Sequence, residues 1–169
     1  MYQLQAVRTA YLITGERPIA EDVVMDAFLM AYDHIGQFDT RRSFFPWFYR
    51  IVVNNALMAI RKAHHAPAHN EQNDHALQHC RSPAPEPEDA VLRWEIQQAL
   101  VAALDTLPPN QRAALVLRCY LGMDEAAIAR TLGCPLGTVK WRLHAARRRL
   151  RGTFSNEFGT PRLSAEGGR

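Results

Sequence analysis

The sequence predicts an all-α protein of two small helical domains joined by a flexible linker, and three observations carry that reading. Apolar residues recur at spacings of three and four through the first sixty residues and again from about residue 88 to 150. Ala, Leu and Arg dominate those stretches, and strand signals are weak. Between them, residues 64–87 hold five histidines, several Asn and Gln, and prolines at 67, 83, 85 and 87. Such a segment cannot bury enough apolar surface to offset its ordering entropy. Finally, Ile128–Leu150 (IARTLGCPLGTVKWRLHAARRRL) reads as a helix, a tight turn and a second, basic helix.

The elements follow in order. Residues 3–13 read as a helix interrupted around Thr14–Pro18. A second helix runs from about Ala20 to Ile35, with Val23, Val24, Ala27, Phe28 and Ala31 as its apolar face; Glu21 and Asp22, placed in its first turn, suit the positive end of the helix dipole. Gly36–Ser43 is a polar turn. A third helix from Phe45 or Pro46 to Lys62 carries Trp47, Phe48, Ile51, Val52, Leu57 and Ile60. This first domain covers 1–63 and the linker 64–87. In the second domain, 88–152, a helix places Val91, Ile96, Leu100, Ala103 and Leu104 on one side and stops at Leu107-Pro108-Pro109. Another helix, with Ala114, Leu115, Leu117 and Tyr120 apolar, ends at Gly122. The tail, 153–169, has no periodicity and is expected to be disordered.

Composition bounds the function. At 169 residues and 47% hydrophobic the chain has enough apolar surface for a packed core. The net charge of +3 is mild but unevenly spread: residues 1–62 hold seven basic and six acidic side chains, 63–92 one and five, 93–150 nine and four. The positive excess thus falls in the second domain, an asymmetry that suits a nucleic-acid binder. Cys80, Cys119 and Cys134 are an odd number without metal-ligand spacing, which fits reduced thiols in the cytoplasm. No stretch approaches a membrane span, so no membrane insertion is expected. The histidines and Cys80 of the linker are too irregularly spaced for a metal site and read as solvated. No HExxH pair and no Gly-rich phosphate loop occurs, so no catalytic residue, metal or cofactor is expected.

The turn and its two helices carry the chemistry. Ala129 is small enough for a close helix crossing, and Gly133 can take the left-handed conformation that ends the first helix. Pro135 suits the first turn of the next. Leu136, Val139, Leu143 and Leu150 give that helix a buried stripe, while Lys140, Arg142, Arg147, Arg148, Arg149 and Arg151 make it cationic; no acidic residue falls between Pro135 and Phe154. A helix of this kind after a Gly turn suits the DNA major groove, the alternative being an ordinary solvated basic helix.

The stretch LPPNQRAALVLRCYLGMDEAAIARTLGCPLGTVKWRLHAARRRLR resembles region 4 of the bacterial sigma-70 superfamily, especially the extracytoplasmic-function group. The resemblance lies in the Leu-Pro-Pro opening, Gln111–Arg112, the Ile-Ala pair and the Gly-Thr-Val-Lys entry. LuxR-type output domains share part of that pattern. AEDVVMDAFLMAYDHIGQFD and FFPWFYRIVVNNAL are similar to region 2 of the same sigma factors. Two motif sets in family order identify the chain as a member of that group, with region 2 read as N-terminally shortened.

The resemblance implies a factor that binds core RNA polymerase and directs transcription initiation through −10 and −35 promoter elements and DNA melting, with an anti-sigma factor as a further partner. Asp22, Met25, Asp26, Leu29 and Asp33 are then the candidates for polymerase binding, an acidic and apolar mixture that suits a protein-docking surface. Arg41, Arg42, Ser43 and Asn54 are the candidates at the −10 element. Phe38, Phe44, Phe45, Trp47, Phe48 and Tyr49 crowd the same region, with Trp47 and Phe48 assigned to the core by spacing. At the −35 element, Lys140 and His144, one turn apart, should share the groove-facing side, with Trp141 a further candidate on the same helix, Arg142, Arg147 and Arg149 on the flanking phosphates and Thr138 with the helix N-terminus holding another. Trp141 and Ala145 depart from the family's usual small polar and basic residues, Met25 from a frequent Gln and Val53 from a frequent basic residue. Two alternatives remain: a helix-turn-helix regulator acting without polymerase, and an interaction module that titrates an anti-sigma factor.

Overall fold

A computed structural model describes residues 2–65 and 87–158. Those residues form α1 (Tyr2–Thr14), α2 (Arg17–His34), α3 (Phe44–His65), α4 (Pro87–Asp105), α5 (Pro109–Cys119), α6 (Glu125–Leu132) and α7 (Leu136–Phe158). A short 3-10 turn, Ile35–Gln37, follows α2, and no strand occurs among the described residues. The linker reading falls mostly on 66–86, and the metal reading at His69, His75, His79 and Cys80 with it, outside the described residues. So does 159–169 of the tail.

Local chemistry sets the boundaries. Gly15, at φ 81°, ends α1 by donating to the Tyr11 carbonyl at 2.8 Å. Helix α2 then starts at Arg17, three residues earlier than the apolar pattern indicates, because Pro18 in a first turn gives up an N–H that has no helical partner there. With that start, Glu21 and Asp22 are no longer first-turn residues, and Glu21 instead pairs with Arg17 one turn back at 2.8 Å. Asp124 caps α6 by accepting from the Ala127 N–H, and Gly133, at φ 59°, closes it. The Pro135 carbonyl accepts from the Thr138 and Val139 N–H groups in the first turn of α7. That helix continues to Phe158, past the expected boundary, with the Thr153 hydroxyl donating to the Arg149 carbonyl at 3.3 Å.

Helices α1, α2 and α3 pack on one another through a core rich in alanine, Ala6, Ala10, Ala20, Ala27, Ala31 and Ala56, against Phe48, Tyr49, Val52 and Val53. Helix α5 centres the second group: Arg112 through Leu117 are all buried, so every side of it is covered, by α6 and α7 from its own domain and by α1 and α3 from the other. The two domains therefore share one continuous core. Apolar spacing misplaced some side chains at the margins. Ile96 and Leu100 face outward while Val101, Ala103 and Leu104 are buried; Leu136 is exposed and Ala146 takes its place in the α7 stripe; Phe28 and Tyr120 are only partly covered. No helix among the described residues is long and apolar enough to cross a membrane.

Candidate protein and nucleic-acid interfaces

The outward side of α2 carries one continuous stripe. Asp22, Asp26, Leu29 and Asp33 succeed one another at intervals of four, three and four, with Met25 beside them, and all five are exposed. The buried residues Ala20, Val23, Val24, Ala27 and Ala31 hold the opposite side. Structure adds what spacing missed: Tyr32, 79% exposed, and Phe28 and Ile35 extend the apolar part of this surface. Large apolar side chains left uncovered together are the signal that marks such a face.

Beyond α2 the chain turns on an aromatic cluster. Phe38 meets Phe44 at 5.6 Å and Trp47 at 5.1 Å, and Phe48 lies 4.9 Å from Phe28 and 5.7 Å from Phe44. Phe48 is fully buried and Trp47 partly so, in line with their core assignment. The cluster fixes both ends of the 38–44 segment and pushes Arg41, Arg42 and Ser43 into solvent at its tip. Asn54 is exposed on α3, while its neighbour Asn55 reaches the Met30 sulfur at 3.6 Å.

Asp39, unnoticed in the sequence, organises that tip. Its carboxylate accepts from the Arg41 backbone N–H at 3.1 Å and from Arg41 Nε at 3.0 Å, and lies 3.5 Å from Arg42 Nε. Donation by Arg41, with the Arg42 charge adding to it, holds the Asp39 carboxyl below the usual carboxylate range. The sign follows: the pairing is intact above pH ~4 and is lost as pH falls through the lowered value.

Helix α7 presents four rows. Val139, Leu143 and Ala146 are buried. Opposite them Gly137, Trp141, His144 and Arg148 follow one another at four, three and four residues, and all are exposed. Lys140 and Arg147 line one edge, and Thr138, Arg142 and Arg149 the other. Arg142 is half-buried and folds back on the turn, its Nη1 3.5 Å from Cys134 Sγ, which sets it apart from the exposed Arg147 and Arg149.

The Sigma-70 region 2 family matches residues 1–66 and the Sigma-70 region 4 family residues 97–150. The chain is 34% identical over 137 residues to the RNA polymerase sigma-H factor of Pseudomonas aeruginosa, covering 76% of this chain and 69% of that one. It is 31% identical over 156 residues to the ECF RNA polymerase sigma factor SigW of Bacillus subtilis, covering 89% and 83%. The chain belongs to the extracytoplasmic-function group of sigma-70 factors. The fold of this sigma factor is that of RpoE from Bartonella quintana, solved in complex with the anti-sigma factor NepR, with a TM-score of 0.68, 22% identity and 92% of each chain covered. It is likewise that of CnrH, solved with the cytosolic domain of CnrY, with a TM-score of 0.66 over 91% of this chain and 82% of the other.

Asp39→Asn tests the tip of this sigma factor. Exposed ion pairs are weak, so releasing both arginines should tighten binding of a single-stranded oligonucleotide only modestly, by about two- to five-fold. Fluorescence anisotropy at neutral pH reads the change, and an unchanged or weaker affinity would show that the two arginines do not meet the strand.

Proposed function

We propose that this sigma factor binds core RNA polymerase through Asp22, Met25, Asp26, Leu29 and Asp33 on α2. It holds the opened −10 element through Arg41, Arg42, Ser43 and Asn54, and the −35 element through Thr138, Lys140, Trp141, Arg142, His144, Arg147 and Arg149. The carrying observation is that one chain pairs an acidic and apolar stripe on α2 with a cationic outward side on α7, each set opposite the shared core. The first composition suits a protein partner and the second a duplex. No residue in this reading makes or breaks a covalent bond; its work is positioning polymerase and stabilising unstacked bases, whose exposure costs a few kcal/mol per step. An anti-sigma factor completes the partner set, a reading supported by the likeness to a sigma factor solved with NepR. Function of this kind belongs in the cytoplasm.

In vitro run-off transcription with core polymerase, on the promoter upstream of the chain's own gene, tests the proposal. A promoter-specific product is expected that falls at least ten-fold with Asp26→Arg and with Asn54→Ala, and that persists when linker histidines such as His75 are replaced. Tight specific duplex binding without core would favour a conventional regulator. No product with any core, together with retained anti-sigma binding, would favour the titrating module.

A further inference from the structure

The sequence marks Trp141 as a −35 candidate and as a departure at a position where a small polar residue is usual; its place in the fold gives that departure a chemical meaning. Trp141 is 61% exposed. It lies two residues from both Val139 and Leu143, which are fully buried, and so about 160° around the helix from each. It thus stands in the middle of the outward side, one turn after Gly137 and one before His144, with cations along both edges. A Cβ built at Gly137, one turn before Trp141 on the same side, meets nothing within 4 Å, so that position is open.

The edges and the centre of such a surface do different work. Lys140 and Arg147 on one side and Arg149 on the other can neutralise the two phosphate backbones that wall a groove, fixing register without reading sequence. What sits between them faces the base edges, which the early residues of a recognition helix ordinarily reach. The major-groove edges are hydrogen-bonding groups with one apolar exception, the 5-methyl group of thymine. Next to that methyl, thymine presents the O4 acceptor. Indole is the matching combination: a broad apolar ring with a single N–H donor and no acceptor.

We infer that Trp141 is a specificity-determining residue that selects a thymine in the −35 element by covering its methyl group. This rests on the reading that α7 enters the major groove at that element. The pair makes the chain's −35 preference partly apolar, where an arginine or lysine would select guanine.

The test uses the full chain with core RNA polymerase and a duplex library randomised across the −35 element. The wild type should enrich thymine at one position. Trp141→Ala should lose that preference alone, keeping those at neighbouring positions, and Trp141→Phe should keep it, since the apolar ring remains. Replacing the selected thymine by deoxyuridine removes only the methyl group; it should weaken wild-type binding about three- to ten-fold and leave Trp141→Ala indifferent. Trp141 is exposed, so the variants should keep the wild-type circular dichroism and melting curve. Indifference of the wild type to deoxyuridine overturns the inference, as does an unchanged preference in Trp141→Ala. Loss of core binding with the preference intact also overturns it and assigns the indole to polymerase. A wild type that selects nothing upstream of the −10 element overturns both this inference and the reading beneath it.

Discussion

Replacing Phe48 with alanine is expected to destabilise the chain by about 3–5 kcal/mol and to lower its melting temperature by about 10 °C. Phe48 is 1% exposed, and its ring sits 4.9 Å from Phe28, 5.7 Å from Phe44 and 5.8 Å from Tyr49. Truncation therefore opens a cavity whose lining cannot collapse without moving three other rings. Domains of this size are held by about 5–15 kcal/mol in all, so the loss is a large part of the total. The consequence is not only global. Phe28 belongs to the outward side of α2, and Phe44 joins Phe38 and Trp47 in bracing the segment that carries Arg41 and Arg42. Single-stranded DNA affinity should then fall together with stability, even at temperatures where the chain stays folded. Phe44→Ala, at a partly exposed ring, should show a smaller stability change. Thermal and urea melts decide the matter, and a Phe48→Ala loss under about 1 kcal/mol would contradict the packing.

The sequence makes visible what repeats along a helix and hides what lies between helices. Periodicity placed the buried stripe of α2 and the outward position of Asp22, Asp26 and Asp33, because both depend only on the 3.6-residue repeat. Gly133 was legible for a similar reason: the left-handed closure and its 3.1 Å bond from the Cys134 N–H to the Ala129 carbonyl form within six residues. Asp39 was not, because nothing distinguishes an acidic turn residue that pairs with two arginines from one that faces water. Arg142 read as one more cation on a basic helix, yet its guanidinium packs on Cys134, eight residues away. Ile96 and Leu100 looked like core since a helix with several apolar positions has more than one candidate face; the neighbouring helices choose among them. Least legible was the union of the two domains. The run Arg112–Leu117 is buried without amphipathic alternation, and such a run marks a helix covered on all sides without naming what covers it.

That union predicts a second large effect, at Arg112. Its side chain is 8% exposed, and Nη1 meets Asp105 Oδ1 at 2.6 Å and the carbonyl of Ile13, across the domain boundary, at 3.0 Å. Ile13 lies in the last turn of α1, where carbonyls have no partner within the helix, so one guanidinium caps α1 and ties it to α5. Burial pulls the Arg112 pKa below its ordinary value and the Asp105 carboxylate opposes that shift, yet an arginine keeps its charge at any working pH. Approach is close enough that a Cβ at Gly15 would stand 2.9 Å from Asp105 Oδ1 and displace that carboxylate, while the φ of 81° strains any residue but glycine there. Arg112→Met keeps the apolar stem and removes every donor. The expected cost is about 2–3 kcal/mol, the range for a charge-assisted hydrogen bond whose acceptor is left buried. Because the bond joins the domains, the loss should also raise the radius of gyration measured by small-angle scattering. Arg112→Lys should restore only part of it, since an ammonium is more strongly hydrated than a guanidinium and costs more to hold at this buried place. Tyr11 gives an independent check on the same seam. Its phenol is raised by burial and then by the Asp105 charge, so the fold favours the neutral form. That contribution is complete below the unfolded value near ~10 and is lost as pH climbs through the raised one. In Tyr11→Phe the stability loss above pH ~10 should be smaller than in the wild type; equal losses would place the alkaline sensitivity elsewhere.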